Sequence, residues 1–361
     1  MKLHTTLNPS PSAQAVRCAR PSTPRSVAVY ATSSAPPSAV AQRIQLGKSS
    51  LEVSEMGIGA WSWGDRSGYW AGWTKEGSKE AYTASLKYGL DFIDTAEVYG
   101  FGQSEEFLGE FMKQTNTTPV VATKFAPLPW RQTPDSLVDA CKASLQRLGI
   151  NKMGLYIQHW PGFFLNAFAN DAYLEGLARS AEQNLTTAVG VSNFNATRVA
   201  NAARVLQGRG TCLSSNQVQY SLLYREPEKN GVWEACQEHG VTLVAYSPIC
   251  QGLLSGKYSK NNPPQGPRRA FFTDSRFSEI ETLLSLMKAV GKEHGDKTST
   301  QVALNWVLCK GGLPIPGAKS GGQVEELAGA VGWRLSDGEV AELDAISSRL
   351  PSSSGAPFEK W

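Results

Sequence analysis

Polar and ionisable residues recur at the ends of short apolar runs in this 361-residue chain. Asp94 follows LDFI, Lys124 follows PVVAT, and His159 follows MGLYIQ. Tyr99 lies in the loop just past Asp94. Tyrosine titrates ordinarily near ~10, so it is a proton donor at neutral pH, and a nearby ammonium is expected to lower its pKa. With His159 orienting a substrate oxygen, these residue types predict polarisation of a carbonyl group.

Other predicted strand ends also carry polar side chains. They are Ser192, Asn193, Gln217 and Tyr246. Side-chain amides at one edge suit a planar ligand that itself bears an amide. Each residue also has a purely structural interpretation: Asp94 as a helix cap, Lys124 as a solvated charge, His159 as a core histidine. Only the set as a whole predicts chemistry.

Several other catalytic patterns are missing from the sequence. One strand-end histidine without clustered cysteines or carboxylates cannot supply three or four ligands, so no metal site is predicted. The GxSxG elbow of a serine nucleophile is absent, and no GxGxxG follows the first predicted strand. The remaining chemistry is that of a tyrosine proton donor beside a lysine.

Eight short apolar runs predict the strands that position these residues. They cover 56–60, 90–94, 119–124, 153–159, 188–193, 216–220, 241–247 and 313–316. Most lack strict alternation, as expected for parallel strands covered on both faces. Strand ends recur about every thirty residues from Ala60 to Ser247, which is typical of βα units. We predict a single-domain α/β fold, a closed (β/α)8 TIM barrel rather than an open doubly wound sheet, with its site at the carboxyl ends of the strands.

Helical segments fill the gaps between these strands. Thr133 and Asn195 each predict a helix start. The stretch 252–274, rich in Gly, Pro and basic residues, breaks the repeat and is interpreted as a mobile flap. The barrel is assigned to 43–350 and a C-terminal tail to 351–361.

Composition and charge exclude several classes of protein. The chain is 41% hydrophobic and 19% charged, which excludes disorder as its main state. No apolar run reaches the roughly 18 residues of a membrane span, so no integral membrane segment is predicted. Without the four positive charges in residues 1–40, the net charge of +3 becomes −1, which argues against a nucleic-acid partner.

The N-terminal segment has the composition of a transit peptide. Residues 1–42 are rich in Ser, Thr, Ala and Pro, and the first acidic residue of the chain is Glu52. A secretory signal would have a continuous apolar stretch, and this segment has none. Its repeated prolines would break the amphipathic helix of a mitochondrial presequence. We predict chloroplast import to the stroma, with peripheral thylakoid or plastoglobule association left open; a tail without targeting function is the alternative. Six cysteines without a CxxC pair fit a reducing compartment.

Seven motifs in order resemble those of the aldo-keto reductase superfamily, and in particular a chloroplast type from plants and algae. They are FIDTAEVYG (92–100), ATKF (122–125), IQHWP (157–161), VGVSNF (189–194), NQVQYS (216–221), AYSPICQGLLSGKY (245–258) and IPGAKS (315–320). The closing GWRLSDGEVAELDAIS (332–347) also fits the pattern. The resemblance covers essentially all of 43–346 and implies NADP(H)-dependent reduction of a small-molecule aldehyde or ketone in a (β/α)8 barrel.

The resemblance also implies roles for individual residues. The family's catalytic set is matched by Asp94, Tyr99, Lys124 and His159, with Tyr99 as general acid. The residues that hold the nicotinamide carboxamide are matched by Ser192, Asn193 and Gln217, and the aromatic that stacks on the ring by Tyr246. The other implied cofactor-binding residues are Gly59, Trp61, Ser247, Pro248, Leu253, Ser255, Lys257, Gly317, Lys319, Ser320 and Gln323.

Some positions depart from the family pattern. Ala60 stands where many members have Thr, and Gln323 stands where many have an Arg that binds the 2′-phosphate of the cofactor. Lys319 remains as a candidate phosphate ligand, so NADPH is expected to be preferred over NADH by a smaller margin than in members that keep the Arg. Among four tryptophans that suit a carbonyl pocket, Trp61, Trp63, Trp130 and Trp160, the first and last adjoin motif residues and are favoured.

Two alternatives share this barrel. One is a regulatory or redox-sensing subunit resembling potassium-channel β subunits, which keep the barrel and nicotinamide binding but act chiefly on a partner. The other narrows the substrate, as in pyridoxal reductases that resemble this family. The oligomeric state does not follow from the sequence.

Overall fold

The computed structural model describes residues 41–352, so the predicted transit peptide and C-terminal tail lie almost entirely outside the described residues. A hairpin comes first, Arg43–Gln45 (β1) paired antiparallel with Glu52–Ser54 (β2). It closes the amino end of the barrel, because Leu46 and Val53 are fully buried against side chains of the barrel interior. At its turn Gly47 has φ +56°, and a Cβ there would lie 2.4 Å from the Ser214 carbonyl oxygen. Only glycine fits this approach. The hairpin was not predicted from the sequence.

Eight parallel strands form the wall of the barrel. They are Ile58–Gly59 (β3), Phe92–Asp94 (β4), Val120–Phe125 (β5), Met153–Gln158 (β6), Thr186–Ser192 (β7), Leu213–Gln219 (β8), Thr242–Tyr246 (β9) and Leu313–Pro314 (β10). Neighbours in the sequence are neighbours in the sheet. The sheet closes because the Gly57 and Gly59 amides donate to the carbonyls of Pro314 and Pro316, at 3.0 and 2.9 Å. The predicted (β/α)8 barrel is confirmed, and each predicted strand overlaps an observed one.

Twelve α-helices occur within the described residues. They are Lys75–Lys87 (α1), Gln103–Thr115 (α2), Pro134–Leu148 (α3), Asn170–Glu182 (α4), Ala196–Gly208 (α5), Glu226–Lys229 (α6), Val232–His239 (α7), Asp274–Glu279 (α8), Glu281–Glu293 (α9), Ser299–Cys309 (α10), Gly321–Ala328 (α11) and Asp337–Ser347 (α12). The predicted starts are confirmed, since Thr133 and Asn195 accept from the amides of Ser136 and Arg198. No helix of residues 41–352 is long and apolar enough to cross a membrane.

Strand register brings the functional residues to one end of the barrel. Asp94 is level with Ala122 of β5, and Lys124 is level with Ile157 of β6, so both lie near the carboxyl edge. Ser192 and Gln217 face each other across β7 and β8. The stretch predicted as a flap contains a short 3₁₀ segment, Pro267–Phe271, and lies against this same edge.

Candidate active site

A cavity of about 850 Å³ opens at the carboxyl ends of the strands. Most residues predicted for the site lie on its wall: Gly59, Trp61, Asp94, Tyr99, His159, Ser192, Asn193, Gln217, Tyr246, Ser247, Pro248, Ser255, Lys257, Gly317, Lys319 and Gln323. Three others lie off the wall. Lys124 is buried behind Tyr99, Leu253 packs in the apolar core, and the Ser320 hydroxyl caps α11. Cofactor contacts from Leu253 and Ser320 stay predictions.

The fully buried Lys124 forms hydrogen bonds with both Asp94 and Tyr99. The Lys124 ammonium donates to Asp94 Oδ2 at 2.6 Å, to the Thr95 carbonyl at 2.8 Å and to the Tyr99 hydroxyl oxygen at 3.2 Å. Three donors therefore meet three acceptors, which satisfies an ammonium without water. The other oxygen of Asp94 accepts from Gln217 Nε2 at 2.8 Å. The predicted proximity of the two charges is present, and Tyr99 is held beside them.

The protonation states of this group follow from burial and charge together. Burial by itself lowers the pKa of Lys124, but Asp94 and Tyr99 together raise it above its ordinary value of 10.5, so the ammonium stays charged. Burial, aided by the negative charge of Asp94, raises the pKa of Tyr99 above 10.0 although Lys124 lowers it. The expectation that the ammonium sets a lowered Tyr99 pKa is wrong in this structure, because desolvation of the phenolate outweighs the charge. Tyr99 is accordingly a protonated donor at neutral pH.

His159 lies against the tyrosine. The two ring centroids are 5.7 Å apart at a steep angle. Burial, reinforced by the positive charge of Lys124, holds the pKa of His159 well below 6.5. Its Nδ1 is buried and has no hydrogen-bond partner among the described residues. A neutral imidazole in this place can bond a substrate oxygen without competing with Tyr99 as the acid.

Four polar side chains form a connected group beside the catalytic set. The Ser192 hydroxyl donates to the Gln217 carbonyl at 2.7 Å, and Asn193 Nδ2 donates to the His159 carbonyl at 3.2 Å. The Tyr246 hydroxyl donates to Asn193 Oδ1 at 2.9 Å. These hydrogen bonds hold the Asn193 amide and the Tyr246 ring next to each other on the cavity wall. A ligand that combines a planar ring with a carboxamide group would find both a stacking surface and amide partners there.

Tryptophans line the part of the cavity nearest Tyr99. Trp61 stacks on Tyr99 with centroids 6.2 Å apart, and Trp160 lies 4.6 Å from the His159 ring. Both line the cavity, in agreement with the sequence analysis. Trp63 is instead fully buried in the core, and Trp130 is 75% exposed outside the cavity.

Positive charge collects on another part of the cavity wall. Lys257, Arg268 and Lys319 all line it. Burial and then the charges of Arg268 and Lys257 lower the pKa of Lys319, whose ammonium donates to the Ala71 carbonyl at 2.7 Å. Cations so placed in a partly desolvated cleft attract a polyanion. Beside them the backbone of Ser247 and Gln251 has positive φ, 50° and 55°, an uncommon conformation for non-glycine residues.

Sequence reasoning did not single out Arg268 or Trp70. Arg268 is buried, donates to the Gln251 carbonyl at 3.1 Å, and lies over the Trp70 ring at 4.8 Å. These contacts join the predicted flap to the loop after β3, two segments far apart in the sequence. The basic pair Arg268–Arg269 was the only available signal.

The wall also presents buried polar atoms that have no hydrogen-bond partner within residues 41–352. They are Ser62 Oγ, Trp70 Nε1, His159 Nδ1, Trp160 Nε1, Gln251 Nε2 and Arg268 Nε. Such groups are rare in folded proteins and mark places where a ligand or water completes the bonding. A dinucleotide with a carboxamide at one end and phosphates at the other fits this donor set. No group of three or more candidate metal ligands occurs in the described residues.

The fold and the site together define a class of protein. A family model described as the Aldo/keto reductase family matches residues 55–348, and the chain belongs to this family. The predicted class, an oxidoreductase of aldehydes and ketones, is thereby confirmed.

Individual relatives match most of the chain. The chloroplastic pyridoxal reductase of Arabidopsis thaliana is 38% identical over 324 residues, which cover 86% of this chain and 87% of the relative. The aldo-keto reductase yakc of Schizosaccharomyces pombe, whose name specifies NADP(+), is 30% identical over 309 residues, covering 78% of this chain and 88% of the relative. A solved glycerol dehydrogenase of Gluconobacter oxydans is similar with a TM-score of 0.74 at 25% identity, covering 88% and 98% of the two chains.

The protonation states give a pH dependence for carbonyl reduction. Protonated Tyr99 is the active form, so activity is lost only as the pH rises through a pKa above about 10. His159 titrates well below about 6.5 and does not change charge above that pH. We expect kcat/KM with saturating cofactor to be level from about pH 6.5 to about pH 9.5, measured by loss of cofactor absorbance. An inflection centred near pH 7 to 8 contradicts these assignments.

Proposed function

We propose that this protein reduces an aldehyde or ketone to an alcohol with NADPH, and that Tyr99 supplies the proton. The observation that carries the proposal is the 3.2 Å contact between the Lys124 ammonium and the Tyr99 hydroxyl, next to the neutral His159 ring. When bound, NADPH supplies the hydride for the carbonyl carbon. The products are the alcohol and NADP(+), and one proton from solvent restores Tyr99.

Each residue of the catalytic set has a distinct task. His159 hydrogen-bonds the carbonyl oxygen and orients it toward Tyr99. The Tyr99 hydroxyl protonates that oxygen as negative charge develops on it. The Lys124 ammonium stabilises the phenolate that remains, and Asp94 keeps the ammonium charged and in place. The tryptophans exclude water from the reacting atoms, which strengthens these interactions.

The polar group beside this set would hold the nicotinamide end of the cofactor. Since one Gln217 amide N–H is already bonded to Asp94, its amide oxygen is the group left to accept from the carboxamide. Ser192 and Asn193 offer further partners, and Tyr246 provides a ring face. Lys257, Arg268 and Lys319 would hold the phosphates at the other end. The NADP(+) in the name of the S. pombe relative supports this choice of cofactor.

Removal of the Tyr99 hydroxyl tests its role as the proton donor. Tyr99→Phe keeps the ring and its packing against Trp61 but lacks the hydroxyl. We expect turnover of a reactive aldehyde to fall at least ~10²-fold, the effect of losing a positioned general acid, while NADPH affinity measured by fluorescence titration stays within about twofold. Wild-type turnover by the variant removes Tyr99 from the mechanism.

A second prediction concerns cofactor preference. Lys319 places a charge where a 2′-phosphate is expected, and a charge-assisted bond contributes roughly 1.5 to 3 kcal/mol, about tenfold to a hundredfold in affinity. Gln323 cannot supply the bidentate contact of an Arg, so we expect a preference for NADPH near the lower value. Lys319→Ala should reduce the preference, and Lys292→Ala, an exposed lysine on α9, should not.

Fluorescence titration of each variant with NADPH and NADH measures both quantities. Equal affinity of the wild type for the two cofactors refutes the preference. An unchanged ratio in Lys319→Ala removes that lysine from the role, and the same titration of Arg268→Ala then tests the residue that the sequence did not reveal.

A narrower substrate is suggested by similarity to the Arabidopsis chloroplastic pyridoxal reductase. The tryptophan-lined end of the cavity suits a flat aromatic aldehyde of that size. Steady-state comparison of pyridoxal with benzaldehyde and hexanal decides the matter. A kcat/KM for pyridoxal well above both supports this candidate, and one below both rejects it.

We further propose that the protein acts in the chloroplast. The acid-free composition of residues 1–42 and the chloroplastic relative support this location. A fluorescent reporter fused to residues 1–45 should enter chloroplasts of a plant cell and become shortened, whereas the reporter alone stays in the cytosol. Uniform cytosolic fluorescence of the unprocessed fusion refutes the location.

A further inference from the structure

The loops after β5 and β6 carry an unusual concentration of exposed apolar side chains. Seven large hydrophobic residues of the described chain are exposed, and five of them lie in the loops after β5 and β6. The five, named here the aromatic rim, are Trp130 (75% exposed), Phe163 (40%), Phe164 (87%), Leu165 (71%) and Phe168 (73%). Single exposed apolar residues are ordinary, but a cluster of this kind marks a binding surface.

The rim is held in place by hydrogen bonds, one of which is buried. Asn166, which is 1% exposed, donates to the Pro127 carbonyl at 2.7 Å and accepts from the Phe163 amide at 2.8 Å. Gln132 Nε2 donates to the Leu165 carbonyl at 3.3 Å. These bonds tie the two loops together, so the exposed rings belong to an ordered surface.

The rim is continuous with the reacting end of the cavity. His159 and Trp160, at the end of β6, line the cavity, and so does Phe163. Phe163 in turn contacts Phe164, with ring centroids 5.5 Å apart. An apolar path therefore runs from the imidazole that orients the carbonyl oxygen to the outer surface of the protein.

The charge of these loops indicates what kind of molecule follows this path. Residues 160–170 contain no charged side chain. In 126–133 the only charge is Arg131, which pairs with Glu97 at 2.5 Å. An anionic lipid surface is ordinarily met by free lysines and arginines, and these loops offer none. The surface suits an uncharged apolar chain.

We propose that the rim binds an aliphatic chain attached to the carbonyl group, so that among aliphatic aldehydes and ketones those with a long uncharged chain are preferred. This inference rests on the proposed carbonyl reduction. The cavity of about 850 Å³ is within the ordinary size range for a single ligand site, yet it must hold the dinucleotide as well as the carbonyl group. A long chain therefore leaves the cavity past Phe163 and lies over Phe164 and Phe168.

Steady-state kinetics with straight-chain aldehydes from butanal to dodecanal test the proposal. The variant Phe164→Ser/Phe168→Ser removes the apolar surface, and Phe164→Leu/Phe168→Leu keeps it as the matched control. In the wild type kcat/KM should rise about two- to threefold per methylene once the chain reaches the rim, since a half-exposed contact gives less than full burial. The serine variant should lose this rise and the leucine variant should keep it, with butanal kinetics equal in all three.

Binding of 1-dodecanol to the NADPH-loaded enzyme, followed by tryptophan fluorescence, tests the rim without turnover. If no aldehyde is reduced but dodecanol binds and the serine variant weakens it at least about tenfold, the proposed reaction fails and the rim assignment stands. No chain-length dependence in the wild type, or the same dependence in the serine variant, overturns the rim assignment.

Two further readouts separate the other occupants. Sedimentation of the protein with phosphatidylcholine vesicles would identify a lipid surface as the occupant, if the serine variant loses it and the leucine variant keeps it. Self-association in analytical ultracentrifugation with the same dependence on the variants would identify a second copy of the chain. Either result without a chain-length effect overturns the proposal.

Discussion

The buried contact between Lys124 and Asp94 constrains the rest of this site. An ammonium and a carboxylate removed from water are destabilising unless every hydrogen-bonding group finds a partner. Here the Thr95 carbonyl, the Tyr99 hydroxyl and the Gln217 amide complete the set around the pair. Because these partners come from β4, the loop after it, β5 and β8, the barrel must close with the observed register for the pair to be tolerated.

The same hydrogen bonds link the proton donor, Tyr99, to the residues proposed to bind the nicotinamide. Gln217 contacts Asp94 through its side chain and Ser192 through its carbonyl, and Asn193 then connects the Ser192 hydroxyl to Tyr246. One hydrogen-bonded network on the strands therefore positions both the proton donor, Tyr99, and the ring face of Tyr246. Preorganised sites of this kind need little rearrangement as charge develops during reaction.

Much of the fold and the reacting end of the site followed from the sequence, because parallel strands align their carboxyl ends and several of these strands carry a polar residue at or next to that end. Contacts between distant loops did not follow. No local sequence pattern predicts the contact between Arg268 and Trp70. The close approach of Gly47 to the backbone of β8 forms only when the barrel closes. The Tyr99 pKa was misjudged for a similar reason, since the extent of burial is a property of the assembled cavity.

One double variant distinguishes whether the buried pair serves chemistry or only stability. In Asp94→Asn/Lys124→Met the pair is replaced by neutral groups of similar size, a change that folded proteins commonly tolerate. We expect a melting temperature within about 5 °C of the wild type, NADPH binding within about tenfold, and aldehyde turnover reduced at least ~10²-fold. A stable, cofactor-binding double variant with turnover within about threefold of the wild type would show that the buried pair has no catalytic role.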